Sequence, residues 1–147
     1  MLTLFRYLHV VSMACWLGAA LWLAGDARRS LAAGPDAARA FLQRALASLK
    51  VDRMAGLATL LTGGALIHFT KIWPALPLPL VVGMALGIAR AGLTDALLFP
   101  AVRRLAARLE AGESPAALLP VAGRLAMLSG IGHLVWLGAL AGMIIST

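Results

Sequence analysis

Three histidines stand inside apolar stretches of the chain: His9, His68 and His133. A neutral imidazole offers one ring nitrogen to a metal, a cofactor or a proton while the other donates a hydrogen bond that fixes the ring. Inside an apolar span such a side chain is costly unless it faces an interior and finds a partner, which makes His9 a functional candidate. On a helix His9, Ser12, Met13 and Trp16 follow the i, i+3, i+4, i+7 rule and share one face, so an imidazole, a thioether and an indole stand in one column. His9 and Met13 together offer the nitrogen and thioether donors that suit Cu(I). A histidine that simply hydrogen-bonds a neighbouring helix is the alternative.

Depth relates the three rings. His9 lies about 10 Å along a helix axis from the N-terminal edge, and His68 lies about 7.5 Å from the edge that Trp73 marks, at roughly 1.5 Å rise per residue. Both therefore belong near the same surface, with the cations Arg6 and Lys71 just above them. His133 is deeper, about 18 Å from that surface, and is the rival of His68 as a second ligand; both remain open. Gly64, four residues before His68, leaves room on that face for a flat ligand or for close helix packing. Arg90 falls near mid-depth in a third apolar stretch and requires a polar partner, a water-filled cavity, or an anionic group on a ligand. Asp95, five residues on and about 140° round the helix, is poorly placed to be that partner, and Arg124 is its expected mate.

The elements that must position these groups are helices. The chain is 61 % hydrophobic and 13 % charged, too apolar for a soluble domain of 147 residues. The pattern predicts an all-α integral membrane four-helix bundle, one transmembrane domain over residues 1–147, with spans at about 2–24, 54–73, 78–99 and 121–145. Ten of the thirteen Lys and Arg residues lie in the segments 25–53 and 100–124, which predicts that these face the cytoplasm and that both termini face the opposite, periplasmic side of a bacterial inner membrane. Gly34-Pro35-Asp36 and Ser114-Pro115 are helix-start signals, and Phe41, Leu42, Ala45, Leu46 and Leu49 form an apolar stripe, so the basic segments carry amphipathic helical extensions. Gly83 and Gly87, and Gly138 and Gly142, have the small-xxx-small spacing of close helix packing, within the chain or in a homo-oligomer.

Tyr7-Leu8-His9-Val10, followed seven residues after His9 by Trp16-Leu17-Gly18, resembles the first helix of the small membrane families that include the four-helix protoporphyrinogen oxidases (HemJ-type) and the copper-resistance D (CopD) domains. The likeness covers helix 1 and, beyond it, the four-span plan with basic loops. In the oxidase family the first-helix histidine is a haem ligand, a role that by resemblance falls on His9. Taken with the similar depth of His68 and the cations above both rings, this role points to a b-type haem held between helices by His9 and a second histidine, lined by Met13 and Trp16, its propionates met by Arg6 and Lys71, with Arg90 available to an anionic group. The resemblance also implies electron transfer or oxidoreduction of a quinone or porphyrin-like substrate, an oxidoreductase activity of protoporphyrinogen oxidase-like type.

Other chemistries are excluded or set aside. The net charge of +7 is explained by orientation in the lipid bilayer rather than by nucleic acid. A single cysteine, Cys15, allows no internal disulfide. No phosphate loop or paired carboxylates appear, so hydrolysis and phosphoryl transfer have no support. Copper handling and a small transporter or scaffold, with Arg90 and Asp95 marking a polar path, are the alternatives to the haem reading.

Overall fold

The computed structural model describes residues 1–145, all in helices, turns and short connections. Helix α1 (Leu2–Ala19) and α2 (Leu23–Ala32) form one rod interrupted by a tight turn, in which the amides of Leu21 and Leu23 reach back to the carbonyls of Gly18 and Ala20. Gly34, at φ 113°, reverses the chain, and Pro35 opens α3 (Pro35–Thr70) with its fixed φ and no donor to leave unsatisfied. The 36 residues of α3 run to about 54 Å, longer than a bilayer core. Lys71 ends it in the left-handed conformation, and a short turn over Trp73–Ala75 leads to α4 (Leu78–Leu93).

From α4 the rod continues through a π-helical turn, Thr94–Leu98, into α5 (Phe99–Glu110). Pro100 has no N–H for the carbonyl one turn back, so the wider turn is where the helix absorbs the missing bond. Gly112, at φ 87°, closes α5, and the Ser114 hydroxyl accepts from the Ala117 amide to start the last rod, Pro115–Leu118 followed by α6 (Leu119–Ile145). The basic segments read as loops with amphipathic extensions are therefore almost wholly helical. In particular, α3 passes without a break from the basic stretch into the apolar one.

The four rods make two unlike halves. In the basic half α2, the first turns of α3, α5 and the start of α6 enclose a dry core that includes Leu23, Phe41, Leu49, Leu98, Val102, Leu105, Leu118 and Leu125. In the apolar half the buried cluster is small, Trp16 with Ala55 and Trp136. Large side chains such as Tyr7, Val10, Leu57, Leu61, Ile88 and Leu134 point outward there, a contiguous apolar exterior that a protein in water rarely carries. The apolar half is built as two tight pairs, α1 on α3 and α4 on α6. Glycine sets the second contact: a Cβ on Gly142 would stand 2.5 Å from the Pro79 carbonyl oxygen, and one on Gly83 would stand 2.8 Å from that of Ala139. The small-residue spacings at Gly83 and Gly142 thus serve packing within the chain.

Three rods, Leu2–Ala32, Leu78–Glu110 and Pro115–Ile145, are long and apolar enough to cross a membrane. The rod formed by α3 is the more polar one, because its apolar stretch also carries Thr59, Thr62, His68 and Thr70.

Candidate functional site

Between the two helix pairs of the apolar half lies a cavity of about 660 Å³. Helix α1 contributes Arg6, His9, Met13 and Trp16 to its wall, the column that the i, i+3, i+4, i+7 spacing sets on one face. Helix α3 adds Thr59, Leu60 and Gly63, α4 adds Met84, and α6 adds Trp136 and Met143. The lining is overwhelmingly apolar, and the volume falls in the range of roughly 300–1,000 Å³ usual for small-molecule sites.

His9 supplies the imidazole of that wall, and its proton can be placed from its partners. Its Nδ1 lies 3.1 Å from the Thr59 carbonyl oxygen and 3.0 Å from Thr62 Oγ1. The Thr62 hydroxyl donates to the Ala58 carbonyl at 2.6 Å, so it accepts from His9, as the Thr59 carbonyl must. Nδ1 therefore carries the hydrogen and donates to both, and Nε2 keeps its lone pair. No protein group bonds Nε2 among the described residues, and the ring borders the cavity. Gly63 makes room for the ring: a Cβ there would sit 3.1 Å from His9 Cε1. Ser12 and Thr59 continue the polar seam between α1 and α3, the Thr59 hydroxyl lying 3.1 Å from Ser12 Oγ. Thr59 and Thr62 do not stand out in the sequence as site residues. Their three-residue spacing on a face opposite the His9 column was the available signal.

Below the cavity, at the junction with the basic half, Arg90 is buried to 1 % exposure and touches all four rods. Its Nη2 lies 2.7 Å from Asp52 Oδ1 on α3, and its Nη1 bonds the Thr94 hydroxyl and lies 3.3 Å from Asp52 Oδ2. Thr94 in turn donates to Asp52 Oδ2 at 2.9 Å. The guanidinium stands 5.6 Å from the centre of the Trp16 ring of α1, and Gly132 of α6 is close enough that a Cβ would meet Arg90 Nε at 3.2 Å. Arg90 thus has the polar partner that its depth requires. That partner is Asp52, which reads in the sequence as part of a basic loop and becomes visible as the mate of Arg90 only once α3 is continuous through it. Asp95 pairs with Arg53 at 3.3 Å, both substantially exposed, and not with the expected Arg124.

The other predicted site residues lie apart from the cavity wall. His68 is exposed, its ring packed edge-on against Phe69, and Lys71 is exposed at the left-handed end of α3. His133 donates from Nδ1 to the Ser129 carbonyl at 2.7 Å, leaving Nε2 buried without a partner among the described residues. Arg90 is separated from the cavity by Trp16. The structure thus brings together Arg6, His9, Met13 and Trp16 and leaves His68, Lys71, His133 and Arg90 outside. No group of three or more His, Cys, Asp or Glu side chains gathers as a metal site among the described residues. Neither a protein-family model, nor a curated protein, nor a solved structure matches the chain.

Proposed function

We propose that this chain is an integral membrane protein of four spans that binds haem b in the large cavity, where His9 would hold the iron, and serves electron transfer or the oxidoreduction of a quinone or porphyrin-like substrate. The observation that carries this reading is the state of His9: Nδ1–H is tied to Thr59 and Thr62, so Nε2 keeps its lone pair on a ring that borders an apolar cavity. A ligating histidine is typically held in this way, its second nitrogen donating to a carbonyl that fixes the ring. Haem iron, when bound, supplies one-electron chemistry whose potential the axial donors and burial adjust.

The chain's own residues have definable tasks in this reading. Trp16 and Trp136 close the apolar end of the cavity, and Arg6 at its other end meets a carboxylate with a charge-assisted hydrogen bond. With His68 and His133 off the cavity wall, Met84 and Met143 on the facing helices would be the thioethers able to supply a second donor. These same thioethers, with Met13 and His9, favour a second reading, in which the cavity holds Cu(I).

The fourth span is the Met54–Thr70 part of α3. It is paired along its length with α1, and Arg53 and Lys71 bracket it about 27 Å apart, close to the thickness of a hydrocarbon core. Positive charge then places the basic half in the cytoplasm and both termini outside.

Protein purified in detergent from haem-replete cells is expected to carry a Soret band and one haem per chain by the pyridine haemochrome assay. A colourless protein that retains copper through a bathocuproine assay would establish the second reading instead, and a colourless, copper-free protein would reject both.

A further inference from the structure

The wall of the large cavity is not closed evenly. On the side of α1 and α6, Trp16 and Trp136 are buried, with Met13, Leu17 and Leu140 packed against them. On the side of α3 and α4 the helices touch where Leu60 meets Gly87, a Cβ on Gly87 standing 3.7 Å from Leu60 Cδ2. One turn further along α3, Gly64 shares the face of Leu60 and lines the cavity, yet a Cβ there would meet nothing within 4 Å. Across from it the wall is made by Met84 and Leu80 of α4, so the two helices part beyond the Leu60–Gly87 contact and leave a gap. Ile88, beside that contact, belongs to the cavity wall and is also 61 % exposed, so the wall runs out to the surface there. Along α3, at roughly 1.5 Å rise per residue, Gly64 lies about 16 Å from Arg53 and about 10 Å from Lys71, so the gap faces hydrocarbon.

We propose that the gap between α3 and α4 is a lateral portal joining the cavity to the interior of the bilayer, and that an acyl chain of a membrane lipid occupies the cavity until a bound ligand displaces it. Two physical arguments identify the occupant. Water settles in a cavity only where it finds several polar partners, and this wall is dominated by Leu, Ile, Met and Trp side chains. Left dry, those side chains would lose their dispersion contacts on one face. Hydrocarbon, the fluid at the mouth, asks for no polar partner and restores the contacts. The exterior beside the gap is apolar as well, with Leu57 and Leu61 of α3 and Ile88 of α4 all exposed. The ligand of His9 is then drawn from molecules dissolved in the membrane, with an apolar body able to pass between two helices. Gly64 keeps that passage open, since any side chain there enters the gap.

The inference rests on the four-span reading but not on haem, so protein purified from haem-deficient cells tests it. Full-length protein is reconstituted in phosphatidylcholine vesicles that contain a phospholipid with a diazirine midway along one acyl chain, illuminated, digested and mapped by tandem mass spectrometry. Label on the outward side chains Val10 and Leu134 establishes insertion separately. In the wild type, label is expected on the cavity residues Met13, Met84 and Leu140 as well. Gly64→Phe, which places a ring in the gap, should lower the cavity labelling several-fold and leave Val10 and Leu134 unchanged; Gly64→Leu takes its place should that variant fail to fold. Gly130→Phe, on an outward face of α6 with nothing within 4 Å of a Cβ, should alter neither. Wild-type protein labelled on Val10 and Leu134 but not in the cavity overturns the portal and its occupant, and cavity label that persists in the Gly64 variants overturns the path between α3 and α4. Absence of label on Val10 and Leu134 rejects the four-span reading, and the portal with it.

Discussion

Arg90 and His9 show how far single residues could be read before the fold was known. The demand that Arg90 makes was legible, since a guanidinium inside an apolar stretch must be satisfied, but its partner was not, and that partner sets Arg90 at the junction with the basic half rather than at mid-depth. Asp52 stands one residue from Arg53 in a stretch rich in basic residues, and only the uninterrupted α3 carries it to the level of Arg90. Because the pair is sealed, removing one member leaves a buried charge. Arg90→Leu should therefore lower stability by about 3–5 kcal/mol, while Arg90→Met combined with Asp52→Leu should recover most of the loss. Thermal unfolding in detergent, followed by circular dichroism, distinguishes the two. For His9 the column with Met13 and Trp16 was visible in the spacing, whereas the tautomer depends on Thr59 and Thr62 across the α1–α3 contact. Enlarging Gly63 to Leu should displace the imidazole from that position and abolish ligand binding with a smaller effect on the melting temperature, as measured by ligand titration beside a thermal scan.

At the scale of helices, the start signals at Pro35 and Ser114 and the small-residue spacing at Gly83 and Gly142 predicted local structure correctly, because each acts through the backbone around it. The amphipathic helices expected in the basic segments are present, but as the outer turns of the same rods rather than as separate extensions, and their apolar stripes close the core around Phe41 and Val102. The glycines differ in a way that can be measured. Gly142→Ala forces α4 and α6 apart and should cost roughly 1–3 kcal/mol. Gly130, on an outward face of the same helix with nothing within 4 Å of a Cβ, should become alanine at no cost or with a gain of up to about 1 kcal/mol. Equilibrium unfolding of the two variants side by side gives the comparison.

Over the whole molecule, a tightly packed basic half holds two helix pairs with a large apolar cavity between them. This division explains why three histidines of similar chemistry have different fates. Depth placed His9 and His68 near one surface, but depth says nothing about direction around a helix, and only His9 borders the cavity. The proposed orientation rests on the charge of the basic half: alkaline phosphatase fused after Lys50 should be inactive and after Trp73 active, and the reverse pattern would invert the topology. The central claim is most directly tested by a reduced-minus-oxidised visible spectrum of haem-replete protein, recorded for wild type and for His9→Ala, His68→Ala and His133→Ala. A Soret and α-band that vanish in His9→Ala and persist in His68→Ala and His133→Ala are the expected result. Bands that survive in His9→Ala, or that never appear in the wild type, would contradict it.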